Sequence, residues 1–126
     1  MPKHSSLLSK ISKLRRNQHK LAAKLFEKNF QDGVPEVIAL QLFLHMTHMA
    51  PARIVADPTG KIIVVCATLR VDKITYGALR KHGYRVLKAI PFTVVYKNAT
   101  KEEAIKEAEA LLDALKKKAT GRGGSK

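Results

Sequence analysis

The chain has 126 residues and a mass of 14.0 kDa, with 24 Lys and Arg against 10 Asp and Glu, for a formal net charge of +14. An apolar fraction of 45% is that of an ordinary globular protein, which excludes wholesale disorder, and the length suits one domain around one core. The single Cys66 excludes an intramolecular disulfide and a thiolate zinc cluster, no apolar run approaches the ~20 residues of a membrane span, and Met1–Leu14 lacks the apolar stretch of a secretory signal. An intracellular protein is expected, in the cytoplasm or at a nucleoid or nucleus, with no membrane partner.

The charge comes in blocks. Residues 1–31 hold eight Lys or Arg and one Glu, residues 32–69 two basic and three acidic residues, residues 70–98 seven basic residues and Asp72, and residues 99–126 seven basic and five acidic. Two basic regions therefore flank a nearly neutral, apolar middle, which points to surfaces of different purpose.

From Leu7 the apolar positions run Leu7, Ile11, Leu14, Leu21 and Leu25 with Gln18 in the gap, a heptad spacing that predicts an amphipathic helix over Ser6–Asn29. Asp32-Gly33 breaks it, and Pro35 suits the start of a second helix because its missing N–H is not needed there. That helix, Pro35–Met49, is apolar around most of its circumference, which predicts a place at the centre of the core or in a subunit interface. Arg53–Ala56 reads as a strand and Asp57-Pro58-Thr59-Gly60 as a hairpin turn. Lys61–Leu69, rich in β-branched residues, predicts a strand covered on both faces. Asp72 caps a short helix that runs to His82 and closes at Gly83. Tyr84–Lys97 returns to strand character, with Pro91 marking an edge, a bulge or a division into two strands. Thr100-Lys101-Glu102-Glu103 is a capping box that opens the last helix, with acids in its first half and Lys116, Lys117 and Lys118 at its end, as the helix dipole prefers. Within it Glu102 and Lys106, and Asp113 and Lys117, are placed as helix-supporting pairs.

The fold class is thus α+β: two N-terminal helices, a small mixed β-sheet of three to four strands with an inserted helix, and a C-terminal amphipathic helix. Residues 1–5 are expected as a flexible N-terminus and residues 6–118 as one domain, made of a basic amphipathic helix (6–31) and a core (34–118). Residues 119–126 are expected as a flexible basic tail.

Catalysis is not expected. The serines lie in or near the termini, and Cys66 lies inside the most apolar strand, where a thiol is an inert small hydrophobe. The carboxylate pairs are used by the last helix, and no Gly-rich phosphate loop follows a strand. His45 and His48 have a spacing that can share a metal, but no third ligand lies on that helix. No cofactor, metal or small-molecule substrate is expected.

Two basic patches carry the functional reading. On a helical wheel Lys10, Lys13, Lys20, Lys24 and Lys28 share one flank of the first helix, ~120° from the leucine seam, and Arg16 belongs to the same basic stretch. In the helix after Asp72, Ile74, Ala78 and Leu79 mark the inward arc, with Lys73, Tyr76, Arg80 and Lys81 opposite. Arg70 precedes this helix, and Arg85 and Lys88 follow on the next strand. Cations bind phosphates while an exposed Tyr stacks on a base; alternatively Tyr76 covers the edge of the core. Lys116–Lys118 with Arg122 would add a mobile third contact. The Asp72–His82 helix with the β-structure behind it has the order of a winged helix-turn-helix, but Ala89-Ile90-Pro91-Phe92 is too apolar for a wing tip. The inserted helix departs from a double-stranded RNA-binding order.

The expected function is a non-enzymatic nucleic-acid-binding protein of phage, plasmid or chromatin-accessory type. It would grip the backbone of DNA or RNA with limited sequence specificity through Lys10, Lys13, Arg16, Lys20, Lys24, Arg70, Lys73, Tyr76, Arg80, Lys81, Arg85 and Lys88. The alternative is an assembly module that forms a homodimer or larger homo-oligomer through its N-terminal helices and binds an acidic protein.

Overall fold

The computed structural model describes residues 3–68, 70–89 and 92–124, with side chains described between Ser9 and Lys118. The element order is α1 (Lys3–Gln31), α2 (Glu36–Met46), β1 (Pro51–Ala56), β2 (Ile62–Cys66), α3 (Lys73–Lys81), β3 (Arg85–Ala89), β4 (Phe92–Lys97) and α4 (Lys101–Gly124). This is an α+β fold in three layers. The sheet has strand order β1-β2-β4-β3. It is antiparallel throughout, where a mixed sheet was expected. The reason is topological: α3 carries the chain past the neighbour of β2, and the β3–β4 hairpin then folds back so that β4 fills the gap between β2 and β3.

Each element has a local cause. The β1–β2 turn is built on Asp57, whose Oδ1 accepts from the Thr59 and Lys61 amides at 3.1 and 2.9 Å, while Gly60 takes φ +91° at no steric cost. At α3, the Asp72 carboxylate accepts from the Thr75 amide at 2.7 Å. At α4, Thr100 and Glu103 form the reciprocal capping box, the Glu103 amide donating to Thr100 Oγ1 and the Thr100 amide to Glu103 Oε1. Lys61, at the entry to β2, reaches Glu103 and Glu107 at 2.9 and 3.5 Å, so these acids anchor α4 to the sheet. Chain division around Pro91 follows the expectation, with β3 and β4 on either side of it; Pro91 itself lies outside the described residues.

β2 is buried on both faces along its whole length. Ile62, Val64 and Cys66 with Val95 face α1, α2 and α3; Ile63 and Val65 with Val94 and Tyr96 face Ala104 and Ala108 of α4. Burial pushes the Cys66 thiol up to about 12, which keeps it neutral and inert in the folded state.

Helix packing departs from the sequence expectation at α1. α2 lies over β1, α3 lies over β3, and α1 packs against both helices. The stripe it buries is Ala22 and Phe26, with Ala23 and Phe30 beside them. The heptad leucines do not form that stripe: Ile11, Leu14, Leu21 and Leu25 are exposed. Ala22 permits close approach, and the Phe26 ring stacks on Phe43 (4.7 Å between centroids) and meets Phe30 edge-on at 4.8 Å. Such aromatic pairs contribute about 0.5–1.5 kcal/mol beyond their area burial. α2 is likewise buried on one side only, through Ala39, Leu40, Phe43 and Leu44, and leaves Ile38 and Leu42 exposed.

At both termini helix extends into segments expected to be flexible. α1 starts at Lys3 and α4 runs through Gly124, because each added residue of an existing helix gains a hydrogen bond without a new nucleation cost. Side chains of residues 3–8 and 119–124, and with them Leu7 and Arg122, lie outside the described set. No helix among the described residues is long and apolar enough to cross a membrane.

The α1–α3 contact holds a titratable group. The His82 ring lies 4.5 Å from both the Phe26 and the Phe30 rings, and its Nε2 is buried without a hydrogen-bond partner. Burial lowers its pKa from the ordinary histidine value; Lys81 and Lys97 act in the same direction, and Glu27 and Glu36 oppose it. The folded state therefore prefers the neutral imidazole. Its contribution to stability is complete above the unfolded histidine pKa of ~6.5 and is lost as pH falls through the lower folded value. The thermal midpoint should fall between pH 7 and 5, and His82→Leu should flatten that part of the profile. An unchanged slope in the variant would assign the pH dependence elsewhere.

Candidate nucleic-acid interface

The two basic regions of the sequence meet because α1 and α3 lie side by side and run the same way. His19 of α1 contacts Asp72 and, at 3.0 Å, Thr75 Oγ1 at the start of α3. Two turns later Glu27 pairs with Lys81 at 2.5 Å, and Phe26 and Phe30 reach His82 at its end. These contacts fix which way each helix face points.

At ~100° per residue, the Glu27 flank of α1, which also carries Arg16 and Lys20, is turned toward α3. Lys13 and Lys24 point away from the body. Leu14, Leu21 and Leu25 fall on the opposite flank, toward α2. On α3, Lys81 faces α1, Lys73 and Arg80 face outward, and Tyr76 lies on the flank away from α1. All of these cations are exposed, and Tyr76 is 43% exposed.

Between the overhanging part of α1, the α2–β1 turn and the start of α3 lies an open cleft of about 1000 Å³. Arg15, Arg16 and Lys20 line it from α1, Lys73 from α3, and His48 from the turn. Arg70 borders the adjoining hollow, which shares His19, Asp72 and Lys73 with the cleft. Asp72 is the one carboxylate among the lining residues, and it is already engaged by the Thr75 amide and by His19. A concave wall with several cations and one satisfied acid favours an anionic ligand.

The predicted site residues are therefore partly gathered and partly separated. Lys13, Arg16, Lys20, Lys24, Arg70, Lys73, Arg80 and Lys81 share the α1–α3 side. Lys10 lies farther out on the overhang and leans toward the leucine flank. Arg85 is placed elsewhere: it pairs with Tyr96, which faces α4, so the pleat turns it to the opposite side of the sheet. Lys88 pairs with Thr93, two residues before the inward Val95, and stays on the helix α3 side. Alternation along a strand separates residues that look adjacent in sequence.

Arg15 and His48 are cleft residues that sequence reasoning missed. Arg15 stands seven residues before Ala22 and so falls on the packing side of α1; a cation there signals that the helix has outrun the body. His48 lines the cleft because its backbone takes φ +62°, a local conformation with no periodic signature. The described residues contain no group of three or more metal-ligating side chains, and His45 and His48 are parted by the helix end at Met46.

No protein-family model, curated protein or solved structure matches the chain.

Asp72 gives opposite expectations for fold and binding. Asp72→Ala removes the α3 cap, which should cost about 1 kcal/mol, or a fall of roughly 3–6 °C in thermal midpoint. It also removes the one acid in the cleft, so affinity for a polyanion at low salt should rise about twofold. A calorimetric melt and a binding isotherm on the same variant check both signs.

Proposed function

We propose that the chain is a non-enzymatic nucleic-acid-binding protein, an accessory factor of the cytoplasm, nucleoid or nucleus, that grips the phosphate backbone along α1 and α3. The observation that supports this best is the convergence of two separate basic segments on one side of the fold, around a cleft whose one acid is already satisfied. Close cations repel one another at a cost that a polyanion removes. Lys20, Lys24, Lys73 and Arg80 supply phosphate contacts, Arg16 and Arg70 bind at the cleft, and Tyr76 offers an aromatic face on which a base stacks.

Limited sequence specificity follows from the side-chain types. Bidentate reading of base edges uses Arg, Asn or Gln directed into a groove, and on the outer face of α3 Arg80 is the one such residue, beside Lys73 and Gly77.

The test is a filter-binding series with duplex DNA, single-stranded DNA and RNA at several salt concentrations. With ~6–10 phosphate contacts, affinity should fall ~10³–10⁵-fold between 50 and 200 mM salt. Absence of binding to all three at low salt would sink the proposal.

A further inference from the structure

We propose that the leucine stripe of α1 is a docking seam for an amphipathic helix of another protein, one whose seam is flanked by Asp and Glu. The apolar seam is a different face of α1 from the one proposed to grip nucleic acid, although Lys24 at its edge belongs to both.

The stripe is uncovered. Every side chain from Ser9 to Gln18 is exposed, and the first buried residue of α1 among those described is Ala22. Ile11, Leu14, Leu21 and Leu25 are 39, 65, 54 and 37% exposed. A helical segment without tertiary cover is marginal in water, and contiguous exposed apolar side chains mark interaction surfaces.

Its geometry is that of a helix-pairing seam. The spacing from Ile11 to Leu25 alternates three and four residues, and the arc is ~80° wide, narrower than the stripe with which a helix packs on a globular core. Gln18 sits within it, as single polar residues do at seam positions that fix register. α2 widens the seam at one end. The Phe26–Phe43 stack joins the two helices at the sequence neighbours of Leu25 and Leu42, and Ile38 and Leu42 are each 48% exposed. A lipid surface would favour a broad apolar arc with aromatic residues, and none lies between Ser9 and Leu25.

Charge selects the partner. The positions that flank the seam are Lys10, Asn17 and Lys24 on one side and Arg15 on the other. A second copy docked in parallel would set Lys10 against Arg15, and an antiparallel copy would set Lys10 against Lys24, so self-pairing meets like charge in either direction. Acidic flanks meet cations in both.

The test uses two synthetic helices of about four heptads with Leu at the seam positions, one with Glu and one with Lys at the flanks. The full-length chain should bind the Glu helix, with affinity falling at higher salt, and the Lys helix at least tenfold more weakly. Leu14→Ser/Leu21→Ser should weaken the Glu helix at least tenfold while leaving the thermal midpoint and duplex binding in place. Lys10→Glu/Lys24→Glu should invert the preference toward the Lys helix, a readout that does not depend on the serine variant folding. Three results would overturn the proposal: equal affinity for both helices, insensitivity of binding to both variants, or sedimentation as a dimer that the Glu helix does not displace. Preferential binding to phosphatidylserine vesicles, lost in the serine variant, would reassign the stripe to a membrane surface.

Discussion

Phe26→Ala is expected to destabilise the protein by about 3–5 kcal/mol, at the upper end for a single substitution. Phe26 is 1% exposed, stacks on Phe43, meets Phe30 edge-on and touches the His82 ring. Truncation therefore opens a cavity where α1, α2 and α3 meet. Phe30 also lies under the Lys97 ammonium at 5.9 Å, and Lys97 is held by Glu36 at 2.7 Å, so relaxation of the ring disturbs the tie between β4 and α2. Chemical denaturation followed by circular dichroism measures the loss. A loss below about 1 kcal/mol would mean that α1 contributes little to the stability of the remainder. Leu21→Ala, at an exposed heptad position, should change stability by no more than about 0.5 kcal/mol. The contrast between the two substitutions distinguishes the face of α1 that packs from the face whose spacing looks as though it should.

The second large effect concerns binding. Lys20→Glu/Lys73→Glu places two acids on facing sides of the cleft where two cations stood. Each lost phosphate contact should lower the slope of log affinity against log salt by ~0.9 for duplex DNA, so the pair should lower it by about two. Reversal adds repulsion to the loss, and at 50 mM salt the affinity should fall about 100-fold or more. Both side chains are exposed, and the thermal midpoint should stay within a degree or two. Arg85→Glu is the internal control. It makes one such reversal, half the charge change of the pair, on the face of the sheet that carries α4, and should leave the slope nearly unchanged. An Arg85→Glu effect about half that of the cleft pair, in proportion to the charge changed, would show attraction by net charge alone, without a defined interface.

Much of this architecture is legible in the residues. The Asp72 and Thr100 caps, the Asp57–Gly60 turn and the doubly covered run Ile62–Cys66 each depend on short-range chemistry, which a sequence carries in full. Side-chain partners across the fold do not have that property. The heptad spacing of α1 is genuine, yet the packing stripe lies beside it, because Ala22 and Phe26 fit a trough whose shape is set by two other helices, α2 and α3, which begin 10 and 47 residues after Phe26. Arg85 was misplaced for a different reason: a basic cluster spanning a helix and the next strand has no fixed geometry until the register of β3 against β4 is known. The cleft was invisible since its walls come from three separated segments, one of them a turn with an unusual backbone angle at His48.

The three-layer arrangement also polarises the molecule. α1 and α3 gather the cations on one face of the sheet, while on the other face Glu102, Glu103, Glu107 and Glu109 of α4 are balanced by Lys101, Lys106, Lys61 and Arg85. A chain approaching a polyanion thus experiences a torque as well as an attraction, and it is turned to its binding side before contact. The face that carries the start of α4, with its charges balanced, exerts little pull of its own.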